Sequence, residues 1–310
     1  WIYRMGVRSN LEYKTTDKPI VIGIGGDSGA GKNTLATLIT HLFGRNNVVC
    51  IEGDDAHKWE RGNRNWQTYT HLNPKGNFLH RDLEQTTELG IGETVVRSFY
   101  DHRTGKFTLP KEVEPNKIIL YTGLHPFYLQ KMRSAFDIKI YVDPDENLRR
   151  YWKIRRDKLD RGYPEKEILK QLDAREHDSQ KYIRPQREFA DIIISLLPKE
   201  NLRKDYEPHL KMHIACDNSL HIDPLIEKLS SIGALEVNHH YEDDLHRQRI
   251  EFDGRITAEE INRIAYDLIP YFDELTHGQH KWLDDLDGMR QLFVLYYLSE
   301  LKKSKHIFET

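Results

Sequence analysis

The stretch I24-G-G-D-S-G-A-G-K-N-T34 decides how the rest of the chain is read. Gly26 to Lys32 follows the Walker A spacing, in which a glycine-rich turn aims successive backbone N–H groups at phosphate oxygens and a lysine reaches the β- and γ-phosphates. The residue after the lysine departs from the pattern: Asn33 stands where a Ser or Thr hydroxyl normally holds Mg²⁺. The flanks supply the setting that such a loop needs. PIVIGI (19–24) is a short β-rich apolar run. Beyond the loop, Leu35, Leu38, Ile39, Leu42 and Phe43 recur at helical spacing on one face. Strand, loop, helix predicts a phosphate cradle with the positive end of a helix behind it. Gly26, Asp27, Ser28, Gly29, Ala30, Gly31, Lys32, Asn33 and Thr34 are therefore its nucleotide-binding candidates.

Outward from the loop, the apolar runs 47–52, 117–121, 137–142 and 190–196 read as buried parallel strands. Helical patterns lie between several of them, clearest over 145–158 and 165–182. Alternation of this kind predicts an α/β fold: a P-loop NTPase-type three-layer sandwich with a mostly parallel sheet. After about 197 the pattern changes. Residues 209–216 and 233–253 read as strands, and 257–275 and 284–303 as helices, giving a C-terminal α+β extension (198–310) expected to continue the same sheet. The kinase-type domain is placed at 18–197. Residues 1–17 read as a linker or cloning remnant, since Met5 lies inside them.

Bulk properties exclude several classes. Basic and acidic residues nearly cancel, at a formal charge of −3, which gives no sign of a nucleic-acid surface. No apolar run approaches the roughly 18 residues of a membrane span. Two cysteines, Cys50 and Cys216, are too few for a disulfide framework and suit a reducing, cytoplasmic setting. A GTPase would carry Asn-Lys-x-Asp, but Asn116-Lys117 continues as Ile118-Ile119.

Several further stretches carry a resemblance. They are IEGDDAHKWER (51–61), THLNPKGNF (70–78), YDHRTGKF (100–107), EPNKIILYTGLHPFY (114–128), WKIRRDKLDRGY (152–163), YIRPQREFADIIISLLP (182–198) and RIEFDGRITAEEI (249–261). With the loop, this ordered set resembles the phosphoribulokinase/uridine kinase family, nearer to its phosphoribulokinases, over about residues 18–275. The resemblance implies transfer of the ATP γ-phosphoryl group, with Mg²⁺, to a hydroxyl of a small sugar phosphate. A nucleoside or other small-molecule kinase is the alternative, and a nucleotide-binding pseudokinase or regulatory module of a larger protein is a third. A homodimer, and fusion to a domain before residue 1, are both compatible with it.

Residue by residue, Asp54 matches the family's catalytic base, Lys32 is the loop lysine, and Arg156 and Arg161 match a phosphate-gripping pair, a task suited to the planar guanidinium. Arg149, Arg150, Arg155 and Arg156 share a helix whose plainer reading is a solvated basic face. Lys153 lies one turn before Arg156. The charged stretch 157–185 is expected to form a lid. His57, Arg61, His71, Tyr100 and His102 match positions near the sugar-phosphate substrate, and His125 in GLHP either shapes its turn or touches substrate. Asp54 and Asn33 are the metal candidates, with Asp55 as a further partner. Thr122 stands where the family usually has Glu, so with Asn33 the Mg²⁺ site is altered. Ala30 replaces a cysteine of the plant-type enzymes, which removes a dithiol switch there.

Overall fold

The computed structural model describes residues 18–159, 162–203 and 206–307; the stretch 1–17 and Arg161 lie outside them. One eight-stranded sheet runs through the molecule in the order β11-β12-β10-β9-β8-β1-β7-β2. Its parallel half comprises β1 (Ile20–Gly26), β2 (Val48–Glu52), β7 (Ile118–Thr122), β8 (Ile138–Val142) and β9 (Ile192–Pro198). The other half, β10 (Leu210–Asp217), β11 (Leu235–Tyr241) and β12 (Arg247–Gly254), joins through antiparallel pairing of β10 with β9. Two small ribbons, β3 (Val95–Arg97) with β6 (Lys111–Val113) and β4 (Tyr100–Asp101) with β5 (Lys106–Phe107), stand apart from it.

Side-chain alternation along the strands builds two cores. Ile22, Ile24, Ile118 and Leu120 face one side, with α1 (Lys32–Phe43), and Val21, Ile51, Ile119 and Tyr121 face the other. On α1 the periodic residues Leu35, Leu38, Ile39, Leu42 and Phe43 are all buried. Each fully buried side chain of this size contributes about 1.5–3 kcal/mol. The first core also takes in α6 (Asp223–Ser230), α7 (Ala258–Leu268), α8 (Phe272–Leu275) and α9 (Asp285–Ile307). The opposite side carries α2 (Leu79–Gly90) and α3 (Gln130–Arg133), while α4 (Glu146–Leu159) packs against α5 (Glu165–Asp178). Among the described residues no helix is long and apolar enough to cross a membrane.

Three expectations change in detail. The helix read over 165–182 ends as α5 at Asp178 and gives way to a π-turn, Ser179–Ile183. The stretch 233–253 is a hairpin, β11 and β12, because the polar Glu242–His246 segment turns and Leu245 takes φ 61°. The helix read over 257–275 breaks after Leu268 at Pro270, which has no N–H to donate, and Tyr271 takes φ 56°.

Candidate active site

The C-terminal ends of β1, β7 and β2 meet at one edge of the sheet, where ligands of open α/β sheets are bound. In register, Thr122 lies between Ile24 of β1 and Glu52 of β2. A cleft of about 850 Å³ opens there, within the ~300–1,000 Å³ typical of small-molecule sites.

The loop after β1 has the backbone that its glycines allow. Gly26 and Gly29 take φ 149° and 84°, and a Cβ on Gly26 would come within 2.6 Å of Val142 O. Lys32 Nζ donates to Gly26 O and Asp27 O, each at 2.9 Å, at the head of α1. Burial pulls the Lys32 ammonium down to about 8 against the attraction of Asp27 and Asp54. Asp27 is a brace: its carboxylate accepts from Ser28 N and from the Ser179 hydroxyl. A second brace went unrecognised in the sequence. Arg149 is buried, and its Nη1 donates to Ser28 O at 2.7 Å. Its spacing of two helical turns from Arg156 was the available signal.

Two adjacent aspartates after β2 have opposite surroundings. Asp54 keeps 32% of its side chain exposed, with His57 Nε2 at 3.6 Å and His102 Nε2 at 3.5 Å. Burial works to raise its pKa, but His57, His102 and Lys32 outweigh this and hold the carboxyl below the ordinary range. Asp55 is only 4% exposed and faces away, paired with Arg97 at 3.3 Å and accepting from Tyr100 N at 2.7 Å. Burial pushes it up to about 6. Arg97 also meets Asp82, which accepts from the Tyr121 hydroxyl. Asp55 therefore belongs to a buried structural network, which corrects its reading as a metal partner.

The wall beyond Asp54 is aromatic. His57 Nδ1 meets Asn77 Oδ1 at 2.8 Å. The Asn77 amide donates to His71 O and Asn73 O, so His57 is the donor in that bond. His71 packs 3.9 Å from the Trp66 ring and 4.7 Å from His57. Burial drives its pKa to about 3, so it is neutral. Tyr100 stands edge-on to His57 and His102. Arg61 lines the cleft but also clasps the neighbouring ribbon, through His102 O at 2.5 Å and Arg103 O at 3.4 Å. His125 stands behind the wall, donating to Leu72 O at 2.8 Å, and burial lowers it to about 4. It shapes the turn.

From α4, Arg156 reaches the cleft with its side chain 40% exposed and bonds Asp157 at 2.9 Å. Lys153 lines the same wall, but its buried ammonium pairs with Asp157 at 3.0 Å. Arg150 and Arg155 form surface pairs with Glu146 and Glu207, as a solvated face would. Asn33 and Thr34 are exposed on the first turn of α1 and line the cleft. Glu52, also missed in the sequence, places a carboxylate 3.4 Å from His102 Nε2, beside Asp54. Among the described residues no three His, Cys, Asp or Glu side chains gather as a metal cage. A metal here would rest on Asp54 and Glu52 plus phosphate oxygens, the kind of partial protein shell that Mg²⁺ accepts.

Comparisons with known proteins bear on the family and the fold. The model of the phosphoribulokinase/uridine kinase family matches residues 21–203. Phosphoribulokinase of Synechocystis sp. is 38% identical over 182 residues, covering 59% of this chain and 55% of that protein. The chloroplastic phosphoribulokinase of Chlamydomonas reinhardtii is 31% identical over 238 residues, covering 70% and 63%. Uridine kinase of Listeria monocytogenes is 31% identical over 191 residues, covering 58% and 88%. The chain thus spans little more than half the length of the phosphoribulokinases that it matches. A solved phosphoribulokinase from Rhodobacter spheroides superposes with a TM-score of 0.60 at 22% identity, covering 84% of this chain and 99% of that one, which shows the shared fold.

Proposed function

The chain belongs to the phosphoribulokinase/uridine kinase family, and on that premise we propose that it transfers the ATP γ-phosphoryl group to a hydroxyl of a small sugar phosphate. The observation that carries the reading is the sharing of one cleft by the Walker lysine and by Asp54, an ionised carboxylate flanked by His57 and His102. Asp54 takes the proton of the attacking hydroxyl. His57, fixed by Asn77, flanks that carboxylate at 3.6 Å. Lys32 and Arg156 offset the negative charge that spreads over the transferred group, the main task in this chemistry. The wall from Trp66 to Tyr100 excludes water from the acceptor, and α5 with the π-turn covers the phosphate loop through the Ser179–Asp27 bond. Mg²⁺, when bound, supplies further neutralisation of the phosphates; Asp54 and Glu52 are the residues that would hold it, with Asn33 acting through its amide oxygen. The sugar-phosphate acceptor is favoured by the segments shared with phosphoribulokinases. The uridine kinase match keeps a nucleoside acceptor as the second reading.

ADP release with ATP, Mg²⁺ and a panel of pentose phosphates, other sugar phosphates and nucleosides tests both. Turnover with a sugar phosphate and none with nucleosides is the expected result. ATP binding without turnover of any acceptor would instead identify a non-catalytic nucleotide-binding module.

A further inference from the structure

Helix α5 ends in a turn that touches both sides of the cleft. Ser179, 2% exposed, donates its hydroxyl to the carboxylate of Asp27 in the phosphate loop. For the shape of the loop this bond is a brace, and its other consequence comes through the residue before it. Asp178, its side chain 13% exposed, accepts from the Thr70 hydroxyl at 2.8 Å and from the Asn73 amide at 3.5 Å. Neither of those partners belongs to the phosphate loop; both belong to the segment 70–77 behind the acceptor wall.

Each contact runs on into its own side. Beyond Asp27, the same carboxylate accepts from Ser28 N at 2.5 Å and lies 3.7 Å from the buried Arg149. Beyond Asp178, the Thr70 hydroxyl accepts from Leu72 N at 3.1 Å, and Asn73 O accepts from the Asn77 amide whose oxygen holds His57. His71, the neighbour of Thr70, packs against His57 as well. The turn that carries the pair is firmly mounted. Ile183 O accepts from the Tyr141 hydroxyl at 3.3 Å, and Tyr182 O accepts from the buried Gln186 at 2.7 Å. Its π geometry, a widened turn frequent at functional sites, sends two adjacent side chains to two distant segments. One trans peptide joins them, with Cα atoms about 3.8 Å apart, so a shift of the loop that moves Ser179 moves Asp178 with it.

We propose that Asp178 and Ser179 couple the two sides of the cleft. A nucleotide seated on the phosphate loop fixes Asp27, and through this pair it orders segment 70–77 and the His57 held by it, before any acceptor binds. Coupling between sites is reciprocal, so an acceptor seated against that segment tightens nucleotide binding by the same factor. Neither residue lines the cleft, and both act as positioning residues. This inference rests on the proposed ATP binding.

Hydrogen–deuterium exchange of the full chain tests the coupling without an identified acceptor. The probe is the β,γ-imido analogue of ATP with Mg²⁺, at a concentration that saturates each variant by calorimetry. In the wild type the analogue is expected to slow exchange over 24–34 and, by at least about fivefold, over 70–78, the lower end of coupling between sites. Ser179→Ala and Thr70→Val should each keep the slowing over 24–34 and lose it over 70–78. The double variant should lose no more than either alone. Thr70→Ser, which keeps the hydroxyl and not the methyl group, should retain the slowing, an outcome that a packing role would not give. Melting curves verify folding, and Thr70→Val decides alone if Ser179→Ala does not fold. No slowing over 70–78 in the wild type overturns the coupling and leaves nucleotide binding standing. Slowing there that survives either substitution also overturns it. A wild type that does not bind the analogue removes the proposed ATP binding together with this inference.

Discussion

On the phosphate side of the cleft, one unbroken stretch, residues 24–34, supplies the loop, the lysine and the start of the helix. The acceptor side draws its wall from Glu52 and Asp54, from Trp66 and His71, and from Tyr100 and His102. The first side works through backbone curvature, and Arg149, Ser179 and Asp27 only brace a shape that the glycines already permit. The second works through side chains whose positions depend on one another: Asn77 fixes His57, His57 flanks Asp54, and His125 holds the Leu72 carbonyl behind them. On the proposed reading, a molecule of this design can change its acceptor by altering the second side while the first stays as it is.

The largest effect that would test this division is on Asp54. Asp54→Asn should lower turnover by about 10²–10⁴-fold, the range for a positioned base, with ATP affinity by calorimetry little changed. Undiminished turnover would remove Asp54 from its role and the acceptor side from its centre.

The support behind the wall comes next. Arg97 is buried between Asp55 and Asp82, so Arg97→Met strands two carboxylates. Breaking a buried pair in this way costs about 3–5 kcal/mol, read as a shift in urea denaturation at pH 8. The loss should shrink below pH 6, where Asp55, already raised to about 6 by burial, takes up a proton. An equal loss at both pH values would mean that the arginine matters by packing alone.

A smaller, pH-dependent effect belongs to His125. Burial lowers it to about 4, against about 6.5 in the unfolded chain. Between these values the unfolded chain binds more protons, so stability due to the neutral imidazole is present above pH 6.5 and is lost as pH falls toward 4. The loss reaches at most about 3 kcal/mol. His125→Gln keeps a donor for Leu72 O and should flatten the stability profile over that window. His71, neutral for the same reason, leaves a residual slope. An unchanged profile would contradict the buried placement of His125.

The smallest effect tests the phosphate side. Gly29→Ala places a Cβ at φ 84° and 3.0 Å from the Lys153 Cβ. Left-handed backbone costs a residue with a Cβ about 1–2 kcal/mol. The expected result is a modest fall in melting temperature with weaker ATP binding, whereas His125→Gln should leave ATP binding intact. Equal effects of the two on ATP affinity would dissolve the distinction between the sides.

Legibility follows the same division. The strand into Gly26 and the helix from Lys32 were readable because a period of 3.6 and a glycine spacing are local properties. Downstream, the hairpin of β11 and β12 read as one long strand, since its turn is polar but carries neither Gly nor Pro. On α4, Arg149 and Arg150 are indistinguishable by composition. Both pair with Glu146, but one is buried and donates to Ser28 O while the other turns toward Asp173 at the surface, a difference of one step around the helix that depends on where the loop sits. Glu52 went unnoticed because its worth comes from β7 beside it, which places Thr122 at its flank.

By itself the sequence determined the glycine-rich loop between strand and helix, the alternation of strands and helices, and the family, each written in short-range spacing or in ordered motifs. The family motif already pointed to Asp54, and what tertiary structure alone decided is how differently Asp54 and Asp55 are surrounded. They are neighbours in the chain with the same side chain. Burial, Arg97 and Tyr100 N make one of them structural, and a cleft lined by His57 and His102 leaves the other open to chemistry. Both environments are assembled by segments distant in sequence, and a carboxylate's proton affinity is set by the charges and solvent around it.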